Sequence, residues 1–320
     1  MALPVAETAS SFADRARRSH HPGMNSNYDV IVIGGGAAGL SGALTLSRAR
    51  RSVLVIDAGR PRNAPAGNAH NYLGREGINP LELLRIGRGE VESYGGEIVA
   101  GEAVKASGTG HGFTVELADG STVDGRRLLV ATGLTDELPD IEGVAERWGK
   151  DVLHCPYCHG WEVRDRSIGV IACSPISVHQ ALMWRQWSDD ITFYLNGIVE
   201  LDDTQRKQFE ARGILVVEGV VRSLDDLDHD AFVIAPNARS NADVLTALGL
   251  TAAEHPAGTC IPADGEATGV PGVWVAGNVT NLMEQVIGAA AAGVRAGAAI
   301  NADLITEETE LAVAKAFPAA

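Results

Sequence analysis

Basic residues, cysteines and long apolar runs are all scarce in this chain. Its 320 residues hold 26 Lys+Arg against 41 Asp+Glu, a formal net charge of −15. Nucleic acids and anionic membrane surfaces are bound through clustered cations, so this composition predicts neither kind of partner. Four cysteines are too few for an extracellular disulfide framework, which favours a cytoplasmic protein. No uncharged apolar run reaches the ~20 residues of a membrane-spanning helix.

Glycine, by contrast, is abundant. The 37 glycines occur without low complexity, which indicates tight turns and places where the backbone approaches a ligand closely. The length predicts two domains. Only residues 1–26 lack sustained periodicity, so we predict a disordered N-terminal extension there, with Met24 as an alternative start.

Two strand–turn–helix–strand patterns predict the fold. Residues 29–33 form an apolar run suited to a buried parallel strand, a glycine-rich turn and helical spacing follow, and residues 52–57 form the next strand. The pattern recurs with strands at 167–172 and 191–195. A repeated βαβ unit predicts an α/β protein with two Rossmann-like dinucleotide-binding domains.

The first of these turns carries a dinucleotide fingerprint. Gly34-x-Gly36-x-x-Gly39 follows a predicted strand and opens a predicted helix, and Asp57 ends the next strand. Such glycines permit a tight turn, a close approach of backbone to pyrophosphate, and close helix–strand packing. Phosphates would meet the exposed amides at the helix start, and Asp57 would bind the adenosine ribose. The motif predicts FAD or NAD without deciding between them.

A second motif predicts redox chemistry. Cys155 and Cys158, spaced as C-x-x-C, can cycle between dithiol and disulfide and so carry two electrons. With His154 and His159 they could instead form a zinc site, but no second ligand pair exists and four ligands from this segment would be crowded, so we predict no metal. His159 is interpreted as a proton carrier for thiols, with a surface residue of a polar turn as the alternative. The role of His154 stays open.

These motifs and the closing strand Gly272-Val-Trp-Val-Ala-Gly-Asn-Val279 resemble the low-molecular-weight thioredoxin reductases, flavoproteins with two dinucleotide-binding domains. The resemblance extends from about Tyr28 to Leu304. It implies a homodimeric enzyme whose FAD-binding domain is split in sequence. That domain would comprise residues 27–145 and 266–310, with residues 146–265 forming an inserted NAD(P)-binding-like domain that carries the cysteine pair.

The resemblance also implies which residues act. Cys155, Cys158 and His159 would be catalytic. Where the family usually has aspartate, this chain has Asn278, whose amide can still bond a ribitol hydroxyl. The implied FAD contacts lie on the first turn, on strand ends and at the start of the last helix: Gly34, Gly36, Ala37, Ala38, Gly39, Asp57, Asn71, Val104, Thr132, Gly133, Asn278, Gln285 and Val286.

The second turn departs from the family pattern. In the family a G-x-G-x-x-A turn holds a nicotinamide cofactor, and a His-Arg-Arg run grips its 2′-phosphate. Here the turn reads Ala172-Cys-Ser-Pro-Ile-Ser177, Leu195-Asn-Gly197 replaces the basic run, and no Arg or Lys lies between Arg185 and Arg206. Loss of charge-assisted contacts predicts weak NADPH binding. An NADH site built from other contacts is the alternative.

The altered turn and the Cys-x-x-Cys-His-Gly pattern are similar to those of the holomycin- and gliotoxin-type dithiol oxidases. That resemblance implies that a small-molecule dithiol reduces the Cys155–Cys158 pair, that the pair reduces FAD, and that O₂ reoxidises the flavin to give H₂O₂. One alternative is a disulfide reductase of the thioredoxin reductase type, driven by NAD(P)H or another donor. Another is a redox-sensing flavoprotein without turnover.

Overall fold

The computed structural model describes residues 27–318. The predicted N-terminal extension, residues 1–26, and the alternative start at Met24 lie outside the described residues. The strands are β1 (Asn27–Ile33), β2 (Val53–Asp57), β3 (Glu97–Ala100), β4 (Ala103–Thr109), β5 (Gly112–Leu117), β6 (Thr122–Val130), β7 (Leu134–Glu137), β8 (Val152–Leu153), β9 (Ile168–Ile171), β10 (Ile191–Tyr194), β11 (Leu215–Val217), β12 (Ala231–Ile234), β13 (Asn237–Ser240), β14 (Ala253–His255), β15 (Gly258–Cys260) and β16 (Val273–Val275).

Seven α-helices connect these strands within the described residues. Short 3₁₀ turns also occur at Leu224–Asp226, Asp243–Leu248 and Gly277–Val279. The α-helices are α1 (Ala37–Arg48), α2 (Pro80–Ser93), α3 (Val144–Arg147), α4 (Pro156–His159), α5 (Ile176–Trp184), α6 (Asp203–Ala211) and α7 (Val286–Ala316). None of the helices in this part of the chain is both long enough and apolar enough to cross a membrane.

The first sheet has the strand order β3-β2-β1-β6-β5-β4, with β16 beside β6. Strand β1 pairs in parallel with both β2 and β6. Its residues 30–33 are all buried, because helices cover one face of the sheet and the β4–β5 layer covers the other. Burial on both faces is what the continuous apolar run predicted.

Helices α1 and α7 approach so closely that their backbones touch. A Cβ built on Gly293 would lie 2.0 Å from the carbonyl oxygen of Ala38. Helix α7 continues to Ala316, beyond Leu304, where the resemblance to the family ends. Its later carboxylates pair with cations of the first sheet: Glu308 pairs with Arg51, just before β2, and with Arg126 of β6, at 2.6 and 2.8 Å.

The second sheet has the order β11-β10-β9-β12-β8, and all of its pairs are parallel. Helix α5 connects β9 to β10, so the βαβ pattern of the first sheet recurs. The core of this second unit contains the aromatic side chains of Trp184, Phe193 and Phe209. The rings of Phe193 and Phe209 meet edge to face, with centroids 5.1 Å apart. The predicted α/β fold with two Rossmann-like domains is confirmed.

A third sheet, ordered β14-β15-β13-β7, lies between these two units in the chain. The segment that contains β14 and β15 packs on the first sheet: Ala242, Leu245 and Ile261 are buried in one cluster with Tyr28 and Leu128. The chain therefore rejoins this core before residue 266, the predicted boundary. Periodicity did not reveal this return, since its residues form a 3₁₀ turn and short strands.

The α1–α7 contact predicts the effect of one added methyl group. Gly293→Ala should lower the free energy of unfolding by about 1–3 kcal/mol, because the Ala38 carbonyl must move. Gly89→Ala in α2 is the matched control: nothing lies within 4 Å of a Cβ there, so the substitution should stabilise the helix by about 0.5–1 kcal/mol. Denaturant unfolding measures both, and equal effects of the two variants would contradict the contact.

Candidate active site

The turn between β1 and α1 is shaped by its glycines. Gly34 has a φ of +106°, and a Cβ there would lie 2.3 Å from the carbonyl oxygen of Ala131. A Cβ on Gly39 would lie 1.8 Å from the Gly34 carbonyl oxygen, whereas one on Gly36 would meet nothing within 4 Å. Thus two glycines pack against protein while Gly36 borders open space, an arrangement that fits a pyrophosphate at the helix start.

Asp57 stands at the end of β2, beside this turn. Its Oδ1 accepts hydrogen bonds from the amides of Gly35 and Gly59, each at 3.2 Å. Its Oδ2 pairs with Arg88 of α2, a residue that the sequence analysis missed because no motif contains it. The carboxylate is therefore fixed in orientation at the place where the fingerprint predicts a ribose.

Other predicted cofactor residues lie at the same edge of the first sheet. Thr132 and Gly133 directly follow β6, and the Thr132 Oγ1 is buried without a hydrogen-bond partner. Asn241, also missed by the sequence analysis, holds this strand end: its Nδ2 donates to the Thr132 carbonyl and its amide donates to the Gly133 carbonyl. Val104 is the second residue of β4 and is 44 % exposed. An unpartnered hydroxyl at this edge fits a bound polar ligand.

Asn278 has a structural role that the resemblance did not imply. Its Nδ2 donates to the carbonyl oxygens of Asn281, Leu282 and Glu284 at 3.0, 3.4 and 3.1 Å. An aspartate carboxylate has no proton to donate to these three oxygens, so asparagine fixes the loop that leads to Gln285, the residue before α7. The predicted contact Val286 is the first residue of that helix.

The cysteine pair lies on the single-turn helix α4, next to β8 of the second sheet. The amides of Cys158 and His159 both donate to the Cys155 carbonyl at 3.1 Å. Both cysteines are free thiols. Tyr157 and Trp161 are 56 % and 66 % exposed, so these aromatic side chains border the cysteines at the surface and are not core residues.

The two thiols have opposite pKa shifts. A hydrogen bond from the Cys158 thiol lowers the pKa of Cys155 to about 7, against the opposing effect of burial, and backbone hydrogen bonds and the Arg62 charge add to the lowering. The same thiol–thiol hydrogen bond, together with burial, raises the pKa of Cys158. Arg62 is held in place by a bidentate pair with Asp136 at 2.7 Å. As the pH rises through about 7, the pair therefore loses one proton from Cys155 and keeps the other on Cys158.

The two flanking histidines differ in their surroundings. Burial lowers the pKa of His159, and its Nε2 is buried without a partner, which suits a neutral imidazole that accepts a proton. The Nδ1 of His154 lies 3.2 Å from the Ile234 carbonyl and 3.2 Å from Gln180 Nε2, so it connects β8 to β12 and α5. Within residues 27–318, no three His, Cys, Asp or Glu side chains come together as a group that could hold a metal ion.

The turn between β9 and α5, the second βαβ turn, is held by hydrogen bonds among its own polar groups. The amide of Cys173 donates to Ser177 Oγ at 3.2 Å. At the end of β10, Asn196 Nδ2 donates to the Ala172 carbonyl and its Oδ1 accepts from the amide of Val221. Arg185 pairs with Asp189 and also donates to the Arg212 carbonyl. The amides of Ser177 and Val178, at the start of α5, donate to the Ser174 and Pro175 carbonyls at 3.1 and 3.3 Å, so several donors of this turn are satisfied within the protein.

The shifted thiol pKa values predict how fast the reduced pair is alkylated. Thiolate, the nucleophile, forms as pH rises through the pKa, so iodoacetamide should modify Cys155 first, with half its maximal rate near pH 7. Cys158→Ala removes the hydrogen bond and should move this midpoint upward, lowering the rate at pH 7 by about tenfold. Cys173→Ala is the control, because burial raises the pKa of Cys173 to about 11. Mass spectrometry of the modified peptides follows the reaction, and an unmoved midpoint in Cys158→Ala would contradict this origin of the shift.

Comparison with known proteins places this site in a family. Residues 28–293 match the family described as pyridine nucleotide-disulphide oxidoreductase. Thioredoxin reductase sirT of Leptosphaeria maculans is 31 % identical over 308 residues, which cover 86 % of this chain and 94 % of that protein. The thioredoxin reductase of Aquifex aeolicus is 27 % identical over 304 residues, which cover 86 % and 92 %.

Two solved structures agree with this placement. The structure of HlmI has a TM-score of 0.85 at 42 % identity and covers 92 % of this chain and 97 % of its own. An oxidoreductase from Agrobacterium tumefaciens has a TM-score of 0.84 at 38 % identity, with coverages of 88 % and 99 %. The predicted likeness to thioredoxin reductases is thereby confirmed: this chain belongs to the pyridine nucleotide-disulphide oxidoreductase family and is a thioredoxin reductase-like flavin thiol/disulfide oxidoreductase.

Proposed function

We propose that this protein is an FAD-dependent dithiol oxidase, which forms a disulfide in a small-molecule dithiol and passes the electrons to O₂ to give H₂O₂. The observation that carries the proposal is the contrast between the two βαβ turns. The first has glycine where a phosphate would approach, whereas in the second Ser177 accepts the Cys173 amide and Asn196 donates to the Ala172 carbonyl. A site for FAD without a comparable site for a nicotinamide cofactor favours a dithiol as the electron donor.

The thiol pKa values support an order of steps. A thiolate of the substrate attacks the Cys155–Cys158 disulfide at the Cys155 sulfur, forms a mixed disulfide there and releases Cys158. The second substrate thiol then attacks its own mixed disulfide and releases Cys155. In the second step the leaving group is Cys155, whose pKa is lowered to about 7, and a thiol of low pKa leaves readily. In the first step the released Cys158, whose pKa is raised, takes up a proton as it leaves. The substrate leaves as a disulfide, and the cysteine pair has gained two electrons and two protons.

His159 is proposed as the group that carries these protons. Its ring is neutral near physiological pH because burial lowers its pKa, and its unpartnered Nε2 can accept the proton of a substrate thiol. FAD would be held by the glycines of the first turn, Asp57 and Thr132. When bound, it supplies a two-electron acceptor that O₂ can reoxidise.

A second candidate is a disulfide reductase that takes electrons from NAD(P)H or another donor. The names of relatives favour it, since sirT and the Aquifex aeolicus protein are both called thioredoxin reductase. Such a protein would run the same thiol exchange in the opposite direction.

For either function we also propose a homodimer, which light scattering of the purified protein would test.

Anaerobic flavin reduction separates the two functions. Dithiothreitol should bleach the flavin absorbance of the purified holoprotein, and admitted air should restore it with one H₂O₂ formed per flavin. NADPH and NADH should bleach it at least about a hundredfold more slowly, since several charge-assisted contacts are missing. Bleaching by NADPH at a rate equal to that by dithiothreitol would overturn the oxidase and establish the reductase.

Variants connect this reaction to the site residues. Cys155→Ser and Cys158→Ser should abolish bleaching by dithiothreitol at unchanged flavin content. His159→Gln should slow it by about 10²–10⁴-fold, the usual effect of a lost general base. Cys173→Ser is the matched cysteine control and should react as the unmodified protein does. Full activity in Cys155→Ser would contradict the proposed role of the pair.

A further inference from the structure

A loop of the first unit touches the cysteine segment of the second. The loop 69–78 is closed on itself, because Ala69 and Ile78 pair as an antiparallel bridge, and the Gly77 amide also donates to the Ala69 carbonyl. From this loop Asn71 Nδ2 donates to the carbonyl oxygen of Tyr157 at 2.7 Å. Tyr157 lies between the two cysteines, in a helix of one turn whose Pro156 carbonyl already accepts the Gly160 amide.

A second contact joins the same two segments. The His70 ring lies between two carboxylates, with Nδ1 2.6 Å from Glu76 Oε1 and Nε2 3.4 Å from Glu162 Oε1. Glu162 follows the cysteine helix in sequence. The other oxygen of Glu76 accepts the Asn71 amide at 2.9 Å, so one carboxylate orients both loop residues that reach across.

Asn71 adopts a backbone conformation that supports this arrangement. Its φ is +59°, in the left-handed region that asparagine enters more easily than most residues. That conformation is held by the closed loop and by Glu76. The resemblance implied that Asn71 contacts the flavin, whereas in the structure its amide nitrogen binds the backbone of the redox motif.

We propose that loop 69–78 is a clamp that sets the position of the cysteine pair relative to the first domain. Asn71 and His70 are its positioning residues, and Glu76 orients these two side chains. Glu162 is the residue of the cysteine segment that the His70 ring contacts. The proposal requires that the cysteine pair exchanges electrons with a flavin bound by the first domain. It does not depend on whether O₂ or a disulfide is the final acceptor.

The test compares two conservative variants that act on opposite sides of the clamp. Asn71→Asp keeps the size of the side chain and removes the donor, and Glu162→Gln keeps the size and removes the charge. In flavin-free protein, each should raise the rate at which iodoacetamide alkylates the reduced pair by about two- to tenfold, the usual range for loss of one hydrogen bond. In holoprotein, each should slow anaerobic flavin bleaching by dithiothreitol over a similar range.

The double variant reports whether the contacts act together. If the two contacts form one clamp, losing either contact already releases the segment. The fold-change in each rate of the double variant should then be smaller than the product of the fold-changes of Asn71→Asp and Glu162→Gln. Glu82→Gln is the matched control, since Glu82 pairs with Arg85 on the surface of α2 and should leave both rates unchanged. Asn71→Gly removes the amide while accepting the positive φ, so it replaces Asn71→Asp if that variant does not fold.

Two results would overturn the clamp. One is an effect of the Asn71 variants on bleaching without any effect of Glu162→Gln, which would assign Asn71 to a direct flavin contact. The other is unchanged alkylation in both variants of the flavin-free protein. Bleaching by dithiothreitol requires only the cysteine pair and the flavin, so these readings hold even if air fails to produce H₂O₂ and the oxidase is wrong.

Discussion

The amide groups at the start of a helix need hydrogen-bond partners, and the rest of this structure depends on how its two βαβ units provide them. In the first unit Gly36 borders open space, so a phosphate can supply the acceptors. In the second, the hydroxyl of Ser177 takes the amide of Cys173 and Asn196 fills the neighbouring strand end. The two turns thus differ in how their polar groups are bonded, and the chemistry that we propose rests on that difference.

The cysteine pair depends on a comparable asymmetry. Two identical thiols share one hydrogen bond, which lowers the pKa of one and raises that of the other. Because Arg62 is fixed by Asp136, the surroundings add a steady positive charge near the pair. A difference in pKa between adjacent groups assigns different roles to them, and here Cys155 is the thiol that ionises first and Cys158 the thiol that keeps its proton.

Local patterns in the sequence were enough for much of the fold and part of the site. The strands of both βαβ units and the place of Gly34, Gly36 and Asp57 follow from short-range periodicity and turn chemistry. Arg88 and Asn241 could not be predicted, since the ion pair of Arg88 and the hydrogen bonds of Asn241 reach residues far away in sequence. The early return of the chain to the first core could not be predicted for the same reason, because the burial of Leu245 depends on strands more than a hundred residues away.

The hydrogen bonds of the second turn also restrict which substitutions the protein can accept there without losing stability. Replacing Asn196 would leave the Ala172 carbonyl and the Val221 amide without the partner they have now, and each buried group left unpaired costs about 1–3 kcal/mol. Removing the Ser177 hydroxyl would free an amide before any phosphate-binding cation is available nearby. Under the proposed function, a variant that opens this turn for a nicotinamide cofactor would therefore first lose stability through these unpaired groups. The hydrogen bonds of Asn196 and Ser177 thus oppose stepwise change at this turn.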